Sequence, residues 1–158
     1  MAVVWETFYP YIQPYLPGCP EVVIEAHLKE AAADFFARSE IWRFDIDPDF
    51  TSASTKDYEL DTPTNAVLEN IYDLVLDDQP LARVSDRHIN GTRFTTAGRP
   101  MYYSIYQDTS VRLYPTPDQK YTFSGVGVLK PSLAATGVED WVYETHGRCI
   151  SYGAISRL

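Results

Sequence analysis

Ser85, Asp86 and His88 stand together in "SDRH", and a hydroxyl, a carboxylate and an imidazole so close in sequence are the parts of a nucleophilic hydrolase. Such chemistry also needs a fixed geometry and backbone donors for an oxyanion, and no serine of the chain sits in a Gly-x-Ser-x-Gly elbow. A small hydrolase using these three residues is therefore the secondary alternative. His27 and His146 are the other candidate bases; His27, flanked by Ala26 and Leu28, reads as a partly buried, hydrogen-bonded histidine. Asp45, Asp47 and Asp49 alternate as strand residues do, which would let them project to one side and collect a divalent cation. Pro48 interrupts them, the glycine and closing glutamate of a calcium loop are missing, and a solvated acidic edge is the better reading. No phosphate-binding glycine loop is present, and "GVGV" at 125–128 continues as strand instead of opening a helix. Cys19 and Cys149 have no zinc spacing and read as free thiols. No catalytic, cofactor or metal site is expected.

A second class of chemistry is stacking. Tyr102, Tyr103, Tyr106, Tyr114 and Tyr121 could face sugars or bases, although alternation along strands sends about half of such a series into the core. A carbohydrate-binding module is the first alternative on this ground.

The elements that position these residues follow from periodicity. Residues 1–19, with Pro10, Pro14 and Pro17, are too broken for a long helix and too apolar for a free tail, so Trp5 and Tyr9 should pack on the domain or on a neighbouring subunit. A helix is predicted over 20–42, opened by Pro20, with Ile24, Leu28, Ala31, Phe35 and Trp42 on its core stripe. Its other side carries Ala26, Ala33 and Ala37, small enough for another helix to approach. From Trp42 the period falls to two, and 43–130 reads as mainly antiparallel strands. A hairpin turns at Asp77-Asp78-Gln79-Pro80, and a three-stranded meander runs through 103–106, 111–114 and 121–129. Gly125 and Gly127 mark a bulge or a close backbone approach in the last strand. A second long helix is predicted over 138–158, and its lack of a stop signal suggests a truncated chain or a terminus ordered by a partner. The expected fold is α+β: a long N-terminal helix, an antiparallel meander or sheet, and a C-terminal helix packed with the first, in a single domain over 1–158.

The chain has 158 residues and a formal charge of −9, which disfavours nucleic acid phosphates and acidic membranes as partners. Its start has no basic region followed by a long apolar core, and nothing approaches the ~20 apolar residues of a membrane span. A protein kept in a reducing cytoplasm is expected.

"GCPEVVIEAHLKEAAADFFARSEIWRFDID" resembles the opening of the head-to-tail adaptor, or head-completion, proteins of tailed bacteriophages. "YELDTPTNA", "GRPMYYSIYQDTSVRLYPTPDQKYTF", "GVLKPS" and "CISYGAISRL" fit the same family pattern in the same order, so the resemblance spans most of 16–158. It implies a virion structural protein at the head-tail interface, assembled in the host cytoplasm. Such proteins form a ring, commonly of twelve copies, between the portal and the tail nozzle or tail fibres. DNA would pass through the ring, without sequence-specific binding, past walls whose negative charge avoids sticking to phosphates. Neither a cofactor nor catalysis is implied. A closed ring needs two different faces that meet between copies, and the residues nominated for such contacts are Ala26, Ala33, Ala37, Trp5, Tyr9, Arg148, Arg157 and Leu158.

Overall fold

Pro20 cannot continue a helix backwards, and in the computed structural model it is the extended residue (ψ 137°) from which helix α2, Glu21–Ser39, begins. The structure describes residues 2–85, 94, 96–107 and 109–158. They form two compact units, one of residues 1–41, 63–67 and 130–158, the other of 42–62 and 68–129.

In the first unit, β1 (Ala2–Val4) leads through a 3-10 turn at Trp5–Phe8 into the short α1 (Tyr9–Ile12), and α2 follows. The unit is closed by β10 (Gly137–Glu139), which pairs antiparallel with β1, and by α3 (Asp140–Ile155). Trp5, Phe8, Ile12, Ile24, Leu28, Phe36, Val142 and Ile150 are its buried centre. The Trp5 indole N–H donates to the Ala135 carbonyl at 2.8 Å, and Phe8 meets Tyr143 edge-on. The aromatic N-terminal segment is thus held within its own chain.

The α2 stripe is Ile24, Leu28, Ala31, Ala32 and Phe36, with Phe35 only half-buried. Helix α2 stops at Ser39 because Glu40 takes a left-handed conformation (φ 51°), its N–H returning to the Phe36 carbonyl at 2.9 Å. A residue with a Cβ adopts that shape at a cost of about 1 kcal/mol, and here it turns helix into strand without glycine or proline. Trp42 lies beyond the helix. Likewise Val138, expected in the last helix, belongs to β10, and α3 starts after Glu139.

The second unit holds β2 (Arg43–Phe50), β3 (Asp57–Glu59), β4 (Ala66–Leu76), β5 (Gln79–Pro80), β6 (Ala82–Arg83), β7 (Tyr102–Tyr106), β8 (Ser110–Tyr114) and β9 (Thr122–Pro131); β4 starts and β9 ends in residues of the first unit. They make two four-stranded sheets, ordered β2-β9-β4-β5 and β3-β8-β7-β6. Asp77 and Asp78, both at positive φ, make the two-residue turn of the β4–β5 hairpin.

The expected plan of two long helices with one antiparallel meander is corrected: strand makes up 35% of the chain against 29% helix, in three sheets. The meander fails at its third strand. Both edges of β8 are already taken, by β3 and β7, so β9 has no vacancy beside it and enters the other sheet between β2 and β4. Closeness there explains the glycines. A Cβ on Gly125 would run into the Asp73 carbonyl, and one on Gly127 into the Phe44 ring.

Candidate assembly surfaces

Each residue nominated from the sequence has a definite setting. Among the hydrolase candidates, Ser85 is exposed, while Asp86 and His88 lie outside the described residues. His27 Nδ1 is 3.6 Å from a Glu30 carboxylate oxygen, too long for a hydrogen bond, and has no other partner. His146 packs against the rings of Phe35 and Trp141 at 5.1 and 6.2 Å, a packing role.

Asp45, Asp47 and Asp49 do border one concavity of about 220 Å³ with Glu59 and Asp61. The β2–β9 register shifts between Ile46 and Asp49, which breaks the alternation, and the Asp49 carboxylate accepts the Phe50 N–H at 2.7 Å. Among the described residues no group of three or more acidic, histidine or cysteine side chains is placed to hold a metal ion.

The tyrosines divide between two faces. Tyr103 is buried and donates its hydroxyl to the Ile71 carbonyl at 3.0 Å; Tyr121 is buried and donates to Asp118 at 2.7 Å. Burial pushes the Tyr103 phenol above its ordinary range. Tyr102, Tyr106 and Tyr114 share the opposite sheet face, half-buried, since Tyr102 is registered against Tyr114 and Tyr106 against Ser110. Their rings are already engaged: Phe94 stands 5.7 Å from Tyr102 and 6.1 Å from Tyr114, and the Arg112 guanidinium lies 3.6 Å over Tyr106. Arg112 also grips Asp57 with two bonds, at 2.5 and 3.0 Å, holding that carboxyl below its ordinary pKa. That face is knitted to itself, an arrangement that serves the sheet better than a sugar.

The assembly candidates lie in the first unit. Trp5 and Tyr9, nominated for contacts between copies, are 2% and 7% exposed and belong to its core. Ala26 is exposed on α2, and Ala33 and Ala37 continue the same helical side half-buried. Around Ala26 stand two residues the periodicity gave no reason to single out: Val22, 80% exposed, and Leu133, 67% exposed, on the turn before β10. With Glu25, Lys29 and Glu30 they frame a shallow concavity of about 350 Å³, and Lys29 and Glu25 pair at 2.7 Å. Val22 was legible in principle, as an aliphatic residue off the buried stripe.

A deeper feature runs between α2 and α3. Ala31 faces Gly153 so closely that a Cβ there would just touch, and the two small residues let the helices approach. Toward the helix ends the separation opens into a groove of about 490 Å³, with Phe35 and Ile150 at its apolar floor. Its rim carries Arg38, Cys149 and the ion pair of Arg157 with Asp34. Arg148 is exposed on α3 at 5.9 Å from the Tyr11 ring, and Leu158 is 38% exposed just past the helix. Hydrogen bonding to Tyr143 and then Arg148 draws the Tyr11 phenol below its ordinary range. Among the described residues no helix is long and apolar enough to cross a membrane.

Compared with known families, the chain matches the model described as SU10 adaptor protein over residues 12–157. No curated protein matches it.

Proposed function

The chain belongs to the SU10 adaptor protein family, and from that membership we propose that it is a virion structural protein of a bacteriophage, a ring of copies joining the portal of the head to the tail. The observation that carries this reading is the extent of the match, which takes in both compact units. The surfaces favour it too. Exposed aliphatic groups, an apolar groove with a charged rim and an overall charge of −9 suit a protein that works by contact with other proteins and leaves passing DNA unbound. The ring would be made in the host cytoplasm and reside at the head-tail interface, with tail nozzle or tail-fibre proteins on its far side. Twelve copies is the number that family resemblance favours. In this role the chain catalyses nothing.

Electron microscopy of the protein mixed with the portal protein of the same genome tests the proposal. A ring seated on the portal is expected. A monomer that ignores the portal and binds a glycan array would overturn it.

A further inference from the structure

A closed ring needs two unlike surfaces on each copy that fit one another and cannot meet within one chain. The first unit carries such a pair. One is the groove between α2 and α3, concave, with an apolar floor at Phe35 and Ile150. On its rim Arg38 has no ion pair or hydrogen bond among the described residues. The other is a ridge at the opposite end of α2, where Val22 and Leu133 expose most of their apolar surface beside Glu21. The Glu21 carboxylate is also without a partner among the described residues.

Each charge suits the dipole of its own helix end, Glu21 in the first turn and Arg38 in the last, yet neither is neutralised by a side chain. Val22 and Arg38 are separated along one helix by roughly 24 Å, at ~1.5 Å per residue. A rigid helix cannot fold its ridge into its own groove.

Resting on the adaptor reading above, we infer that the Val22–Leu133 ridge of one copy seats in the α2–α3 groove of the next, with Glu21 brought to Arg38. The occupant is a second copy of this chain because the two surfaces complement each other in shape and charge: aliphatic side chains meet an apolar floor, and an unpaired carboxylate meets an unpaired guanidinium. The contact is head-to-tail, since ridge and groove are different surfaces. Repetition of it propagates from copy to copy.

The groove supplies its own reporter, the exposed Cys149. Val22→Cys in a Cys19→Ser background, mildly oxidised at rising protein concentration and together with the portal protein, should give a disulfide ladder extending past the dimer on a non-reducing gel. Adding Cys149→Ser should remove the ladder, with circular dichroism confirming that the fold is kept. Arg38→Glu and Glu21→Arg should each weaken self-association at least about tenfold, near 1.4 kcal/mol. A mixture of these two variants should regain it, because the altered groove then meets the altered ridge. A covalent product that stops at the dimer overturns the head-to-tail arrangement. Many copies on the portal with no link to Cys149 overturn this contact, showing that the groove holds something else, and leave the adaptor reading standing. No association with itself or with portal removes both.

Discussion

Gly125 and Gly127 lie two residues apart on β9 and differ in what a methyl group would meet. At Gly125 the obstacle is backbone, the Asp73 carbonyl of β4, which cannot move without disturbing the strand; at Gly127 it is the Phe44 ring, half-buried and able to rotate. Gly125→Ala should therefore cost about 2–3 kcal/mol, at the upper end for overpacking, and Gly127→Ala about 1 kcal/mol. Urea unfolding of the two variants would check the order, and equal losses would refute it. Asp57 gives a second prediction. Its pKa is lowered in the fold by Arg112, so the pair's stabilisation is present above the unfolded value of about 4 and fades as the pH falls through the lower folded value. The Asp57 side chain is 39% exposed, and solvent screening keeps the effect below about 1 kcal/mol. Asp57→Asn should flatten the acid limb of a stability-pH curve by that amount; an unchanged limb would deny the pair this role.

At the scale of elements, the β4–β5 turn is the cleanest link from sequence to structure. Both of its central residues have positive φ, but Asp77 also accepts the Thr122 N–H at 2.9 Å, so only Asp78 is open to improvement. Asp78→Gly should raise stability by about 0.5–1 kcal/mol, measurable as a higher melting temperature, since glycine takes positive φ without steric cost. This hairpin, the β7–β8 pair and the existence of both long helices were legible, because each is written in local periodicity and turn residues. The placement of β9 was not. It depends on β8 having lost both edges, one of them to β3, a short strand far away in sequence. The stop at Glu40 also left no trace, for a glutamate does not announce a left-handed residue. Of the candidate surfaces, Ala26 was legible from helical spacing and the groove was not, since it needs two helices a hundred residues apart.

On the scale of the whole molecule, each unit has its own buried centre, and the first is joined through contacts between the two ends of the described chain. Trp5→Ala removes a buried ring and the bond to Ala135, a loss of about 3–5 kcal/mol by comparison with other core truncations. Hydrogen exchange should then quicken in β1, β10 and α3 while the β7–β8 amides keep their protection. Uniform loss would show that the units melt together.

The β1–β10 pairing also has a consequence in time. Ala2 is registered against Glu139, so at roughly 5–20 residues per second a chain on the ribosome carries an unpaired β1 for on the order of ten seconds before its partner exists. The α2–α3 groove is equally late, because α3 is made after β10. A nascent chain therefore offers its neighbours the ridge long before it can receive one, and growth of a chain of copies in both directions must wait until translation has passed α3.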